Sequence, residues 1–76
     1  MIFDEVKEIL CEHLEISPDE IEITSSLADD LGADSLDAID IVMDVEDQYS
    51  IEVPDETIKS IKTVEDIVSY IESNID

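Results

Sequence analysis

Ser35 is the side chain whose setting in the sequence most favours chemistry. Asp34, directly before it, is a good helix N-cap, so the Ser35 hydroxyl is predicted to lie at the start of a helix. The first backbone N–H groups of a helix have no internal partners and lie at the positive end of its dipole. A phosphodiester on this hydroxyl would therefore occupy a place suited to anions. Serine is also an ordinary residue at a helix start, and on these residues alone that interpretation is the stronger one.

Cys11 and His13 are the single cysteine and the single histidine of the chain. One cysteine permits no intrachain disulfide and supplies too few ligands for a cysteine-based metal site, which fits a reducing cytoplasm. Cys11 is predicted to point away from the apolar face of its helix, as an inert surface thiol. His13 is predicted at the edge of that face, where a lone histidine is more often structural than catalytic. We therefore expect no catalytic residue and no metal ligand.

The acidic residues greatly outnumber the basic ones, with 23 Asp and Glu against 3 Lys and a net charge of −20. This charge repels nucleic acids and anionic membrane surfaces, so we expect neither as a partner. It favours protein partners with basic patches, although excess acid also occurs on surfaces that are merely well solvated. The longest apolar runs are three residues, which excludes a transmembrane helix.

The apolar positions repeat at intervals of three and four, and no alternating strand pattern is present. They predict an all-α fold, a small four-helix bundle with three longer helices and one short one. The predicted helices lie at about 2–14, 35–49, 54–60 and from 64 onward, with Thr63 capping the last. The long loop at 15–34 is expected to contain one helical turn at 17–20 and another at 26–31, ended by Gly32. We expect residues 1–76 to form one domain and a monomer.

The second predicted helix has apolar residues on two sides. At about 100° per residue they form two well-separated stripes. The core stripe consists of Ala38, Ile41, Val42, Val45 and Tyr49. The outer stripe consists of Leu36, Ile39 and Met43, and the acidic stripe beside it of Asp37, Asp40, Asp44 and Asp47. An apolar strip edged by carboxylates suits the docking of a basic partner, but burial of both apolar stripes would explain the pattern equally well.

The segment around Ser35 resembles the attachment motif of acyl carrier proteins, and reads Gly32-Ala33-Asp34-Ser35-Leu36-Asp37. The resemblance continues in register through 41–43, through 51–56 and through 61–64, so it covers nearly the whole chain. The length is that of a free-standing bacterial carrier. The chain departs from the commonest family pattern at four positions of the second helix, Asp40, Asp44, Asp47 and Tyr49, and none of them disturbs Asp34-Ser35-Leu36.

The resemblance implies that a phosphopantetheinyl transferase attaches 4′-phosphopantetheine to Ser35, with Asp34 and Leu36 beside it as cofactor-binding residues. The thiol of this arm would carry acyl groups as thioesters, in fatty acid biosynthesis, and the bundle would shelter the acyl chain. Such a chain is a substrate of other enzymes and not itself an enzyme. Synthesis enzymes with basic docking patches would bind the second helix at Leu36, Asp37, Ile39, Asp40, Met43, Asp44, Glu46 and Asp47.

Other functions fit the sequence to different degrees. A specialised carrier of polyketide, D-alanyl or other acyl groups fits, and so does an acidic protein-interaction subunit. A serine hydrolase fits poorly, because the chain lacks a Gly-x-Ser-x-Gly elbow and His13 is the only histidine that could act as its base. A calcium sensor fits poorly as well, because the spacing of an EF-hand loop is absent around Gly32.

Overall fold

The computed structural model describes residues 2–75, which form four α-helices and one 3₁₀ turn. The helices are α1 (Ile2–Leu14), α2 (Ser35–Tyr49), α3 (Asp55–Ser60) and α4 (Val64–Asn74). The 3₁₀ turn, Pro18–Glu20, lies in the long loop between α1 and α2. Helix α1 packs against both α2 and α4, and α3 packs against α2. The predicted all-α bundle, with three longer helices and one short helix, is confirmed.

The core is aliphatic and lies where α1, α2 and α4 meet. Each of these helices turns one stripe inward, as its periodicity predicts. The buried residues of the three helices are Val6, Ile9 and Leu10, then Ile41, Val42 and Val45, then Val64, Ile67, Val68 and Ile71. The long loop adds Ile21, Leu27 and Ala33 to the same cluster.

Cys11 lies at the margin of this core. The prediction that its thiol lies on the surface, away from the apolar face of α1, is wrong. The side chain is half-buried and packs against the core cluster. The physical reason is that α1 contacts two helices and therefore buries more than one narrow stripe. Burial raises the pKa of the Cys11 thiol above its usual value. The thiol is therefore protonated and weakly nucleophilic near neutral pH.

The long loop contains both predicted turns, the first as a 3₁₀ turn and the second as an isolated hydrogen-bonded turn. At the 3₁₀ turn, the Ser17 backbone N–H donates to a carboxylate oxygen of Glu20 at 2.9 Å. At 26–31 the Asp30 backbone N–H donates to the Ser26 carbonyl at 2.9 Å, which closes one turn that does not continue as a helix. Ser26 also forms an antiparallel bridge with Thr63. Gly32 then takes a positive φ of 73°, a conformation that glycine adopts at little cost.

The start of α4 is tied back to the segment before it. The Asp66 backbone N–H donates to Thr63 Oγ1 at 3.2 Å, which confirms the predicted cap. The Asp66 carboxylate accepts from the backbone N–H groups of Lys62 at 2.9 Å and Thr63 at 3.1 Å. These hydrogen bonds, and above all the one from Lys62, lower the pKa of Asp66.

Within residues 2–75, no helix has both the length and the apolar character needed to cross a membrane.

The two apolar stripes of α2 should differ sharply in what they contribute to stability. Ile41 is 0% exposed and Met43 is 59% exposed. Ile41→Ala should lower the free energy of unfolding by about 2–5 kcal/mol, because it leaves a cavity in the core. Met43→Ala, the matched control on the same helix, should change it by no more than about 0.5 kcal/mol. Denaturant unfolding of both variants is the measurement, and equal losses would show that the outer stripe is packed.

Candidate functional site

The start of α2 is fixed by a reciprocal pair of hydrogen bonds between Asp34 and Asp37. The Asp37 backbone N–H donates to Asp34 Oδ1 at 2.9 Å, and the Asp34 N–H donates to Asp37 Oδ2 at 3.2 Å. Asp34 is therefore the N-cap, as predicted, and Ser35 is the first residue of the helix. The Ser35 side chain is exposed, so its hydroxyl is accessible to another molecule.

The loop in front of α2 positions Ser35 relative to the rest of the bundle. The Leu27 backbone N–H donates to the Lys62 carbonyl at 3.0 Å, and the Ala33 N–H donates to the Leu27 carbonyl at 2.8 Å. Both Leu27 and Ala33 have buried side chains. These bonds connect the segment before α4 to a residue only two positions before Ser35. Tertiary contacts therefore hold the hydroxyl in place.

A cavity of about 740 Å³, which we call the Ser35 cavity, lies beside this hydroxyl. It is bounded by the long loop, the first turns of α2, α3 and the residues that follow α3. Its apolar lining comes from Leu27, Ala28, Ala33, Ala38, Ile39, Ile58 and Ile61. Its polar lining comes from Ser26, Asp29, Asp34, Ser35, Lys59 and Lys62. The cavity thus combines hydrocarbon walls with charged groups.

The outer stripe of α2 is exposed. Leu36 is 72% exposed, Ile39 41% and Met43 59%, and these are the exposed large hydrophobic residues of the described chain. The alternative in which both apolar stripes are buried is therefore wrong. Asp40 and Asp47, in the acidic stripe alongside, are exposed as well.

Three of the predicted partner-binding acids make contacts within the chain. Asp37 belongs to the capping pair described above, and His13 Nε2 lies 3.1 Å from Asp44 Oδ2. The Glu46 carboxylate accepts from the Val53 backbone N–H at 2.8 Å, which fixes the chain where it leaves α2. Sequence patterning does not reveal the contacts of Asp44 and Glu46, because they join α2 to other segments of the chain. Their role in partner binding stays a prediction.

His13 is structural, as the sequence indicates. Its partner Asp44 lies nine residues along α2 from Ser35, which corresponds to roughly 13 Å of helix. A catalytic base must reach the hydroxyl directly or through one water, and this separation excludes His13 from that role in the described arrangement. Among residues 2–75, no three His, Cys, Asp or Glu side chains are grouped so as to hold a metal ion.

Comparison with known proteins shows the family of the chain. Residues 4–71 match the family described as the phosphopantetheine attachment site. The acyl carrier protein of Wolinella succinogenes is 48% identical over 73 residues, which are 96% of each chain. Those of a Sulfurovum species and Bdellovibrio bacteriovorus are 46% and 45% identical, over 95% and 93% of this chain and 96% and 91% of theirs. The chain belongs to the acyl carrier protein family.

An acyl carrier protein is a carrier and not a catalyst, and its cofactor is phosphopantetheine. The residues at the start of α2 fit such a group. A hydroxyl suited to esterification is exposed at the positive end of a helix, and the adjacent cavity has room and apolar walls for part of the attached chain. The family resemblance expected from the sequence is confirmed.

Sequence reasoning overlooked Lys59 and Lys62, which both line the Ser35 cavity. They lie three residues apart, at the end of α3 and just after it. The chain has only three lysines, and the close spacing of these two could have indicated a local concentration of positive charge. Their placement beside Ser35 was not predictable, because it depends on how α3 packs.

The capping pair should stabilise α2 independently of any cofactor. Asp34→Ala should lower the free energy of unfolding by about 0.5–2 kcal/mol, because the Asp37 backbone N–H loses its acceptor. Asp34→Ser keeps a capping oxygen and serves as the matched control. Denaturant unfolding and hydrogen exchange of the Asp37 amide measure the effect. Unchanged amide protection in Asp34→Ala would contradict the assigned cap.

Proposed function

We propose that Ser35 holds the phosphopantetheine arm and that this carrier serves fatty acid biosynthesis in the cytoplasm. The observation that carries the proposal is an exposed hydroxyl, first in a capped helix, beside an apolar cavity. Ser26 also lines this cavity, but its hydroxyl accepts from the Asp29 backbone N–H at 3.2 Å and its backbone is held in the bridge to Thr63. Ser35 is therefore the better-placed of the two serines.

The residues at the helix start each contribute differently. When bound, the arm supplies a terminal thiol on which acyl groups are carried as thioesters. Ser35 provides the attachment oxygen, and the positive end of α2 favours a phosphodiester there. Asp34 holds the first turn in place, with its carboxylate already engaged by the Asp37 N–H. Leu36, which follows Ser35, is exposed and extends the apolar surface next to the attachment point.

The walls of the Ser35 cavity support a hydrocarbon cargo. Ile39, Ile58 and Ile61 line it together with buried Leu27 and Ala33. Burying an alkyl chain against such walls is favourable at roughly 0.8 kcal/mol for each methylene removed from water. A D-alanyl cargo has fewer methylenes to bury and would gain less from these walls. A fatty acyl chain therefore makes better use of the apolar lining than a D-alanyl group.

The outer stripe and the acids beside it support docking to enzymes. Leu36, Ile39 and Met43 give an exposed apolar strip, and Asp40 and Asp47 give exposed negative charge along it. Apolar contact supplies burial at an interface, whereas charge mainly steers the encounter and fixes the orientation. The expected partners are a phosphopantetheinyl transferase and fatty acid synthesis enzymes, each with a basic patch.

Attachment at Ser35 is tested by modification of the purified chain. With coenzyme A and a phosphopantetheinyl transferase, the wild-type chain should gain the mass of one arm. Ser35→Ala should gain none, because the attachment oxygen is missing. Ser69→Ala removes an exposed serine on α4 and should be modified like wild type. Intact mass spectrometry is the measurement. Modification of Ser35→Ala, or a wild type that several transferases leave unmodified, would overturn the assignment.

Docking is tested by reversing charge beside the outer stripe. Asp40→Lys and Asp47→Lys should slow association with the transferase by up to roughly tenfold, an effect that added salt reduces. Glu72→Lys makes the same charge change at an exposed position of α4 and should have little effect. The rate of modification at low carrier concentration reports association. Equal slowing by all three variants would indicate that net charge alone matters and that α2 is not the docking element.

A further inference from the structure

The Ser35 cavity gathers two of the three lysines in the chain. Lys59 lies in the last turn of α3 and Lys62 follows α3, and both line the cavity. The third lysine, Lys7, lies on α1, where its ammonium is 4.8 Å from the centre of the Phe3 ring and 3.9 Å from Asp4 Oδ1. In a chain with 23 acidic residues, this distribution makes the cavity far less negative than the remaining surface.

Neither cavity lysine has a close acidic partner. Over residues 2–75, no carboxylate oxygen lies within 4.0 Å of the ammonium of Lys59 or Lys62. Lys62 acts on Asp66 from farther away, as a minor contribution to the lowered pKa of that carboxyl. Asp29 and Asp34 also line the cavity, but Asp34 is engaged by the Asp37 N–H. Two cations therefore remain available to an anionic ligand.

The backbone keeps these lysines close to the attachment point. The Lys62 carbonyl accepts from the Leu27 N–H, and the Leu27 carbonyl accepts from the Ala33 N–H, so the segment carrying Lys62 is tied to the segment that leads into Ser35. A group attached to Ser35 is therefore held beside the cavity that both lysines line. Such confinement raises its effective concentration and lets even weak, solvent-exposed charge pairs form.

We propose that Lys59 and Lys62 form an anion subsite in the Ser35 cavity, whose ligand is an anionic group held through Ser35. Two anions have this chemistry: the phosphodiester of the arm and a carboxylate at the far end of an acyl chain. The apolar lining accommodates the carbon chain of the second while the lysines pair with its carboxylate. This inference rests on the proposed attachment at Ser35.

The test compares four forms of the chain: without the arm, with the arm alone, and with the arm bearing a butyryl or a succinyl group. The last two have equal chain length, and only succinyl ends in a carboxylate. NMR signals of the Lys59 and Lys62 side-chain methylenes should shift when the anion arrives, while those of Lys7 stay in place. A shift on adding the arm identifies the phosphodiester, and a shift seen with succinyl but not with butyryl identifies the carboxylate.

The double variant Lys59→Gln with Lys62→Gln tests the subsite through NMR signals of the anion itself. It should change the phosphorus-31 shift of the arm, or the carbon-13 shift of a labelled succinyl carboxylate, and added salt should abolish the difference from wild type. Lys7→Gln, the matched control, should change neither signal. If both signals are the same in wild type and double variant, the subsite does not exist. Intact mass separates this from failure of attachment, since a chain without the arm refutes the proposed function as well.

Discussion

Burial of Ile41, Val42 and Val45 along one side of α2 is the interaction on which the rest of the structure depends. A chain with a net charge of −20 repels itself, and aliphatic packing must outweigh that repulsion. Because Ile41 and Val45 pack into the core cluster with α1 and α4, the outer stripe of α2 is not needed for the core. Leu36 and Met43 can then stay exposed, and Ser35 lies at the end of a helix that is already anchored.

The same anchoring shapes the cavity beside Ser35. Its firm walls are α2 and the loop residues Leu27 and Ala33, which are buried and joined by hydrogen bonds. Its other wall is α3, a six-residue helix that has no buried residue and is held by half-buried Ile58 and Ile61 around its end. Few buried contacts mean low local stability. The cavity is thus bounded on one side by well-packed residues and on the other by α3, which can move at a low cost in free energy.

Most of the fold was predictable because local rules and tertiary packing agree. The bounds of α2 follow from Asp34 as cap and from the apolar period, and Thr63 marks α4 in the same way. The error at Cys11 arose where tertiary contacts override local pattern. Its side chain is half-buried because α1 packs on two helices. At the site, the outer stripe followed from helical spacing and Ser35 from its resemblance to the family motif. The cavity lysines and the Glu46 bond to Val53 depend on packing that no local pattern encodes.

The central claim is that one exposed hydroxyl, placed by a helix anchored on its other side, holds the arm and its acyl cargo. The most direct test is mass spectrometry of the protein isolated from its own cells, first intact and then as proteolytic fragments. The account predicts a mass increase equal to phosphopantetheine, in part with a hydrocarbon acyl group, located on the fragment that contains Ser35. Phosphopantetheine on a fragment that lacks Ser35, or a chain that carries none in growing cells, would contradict it.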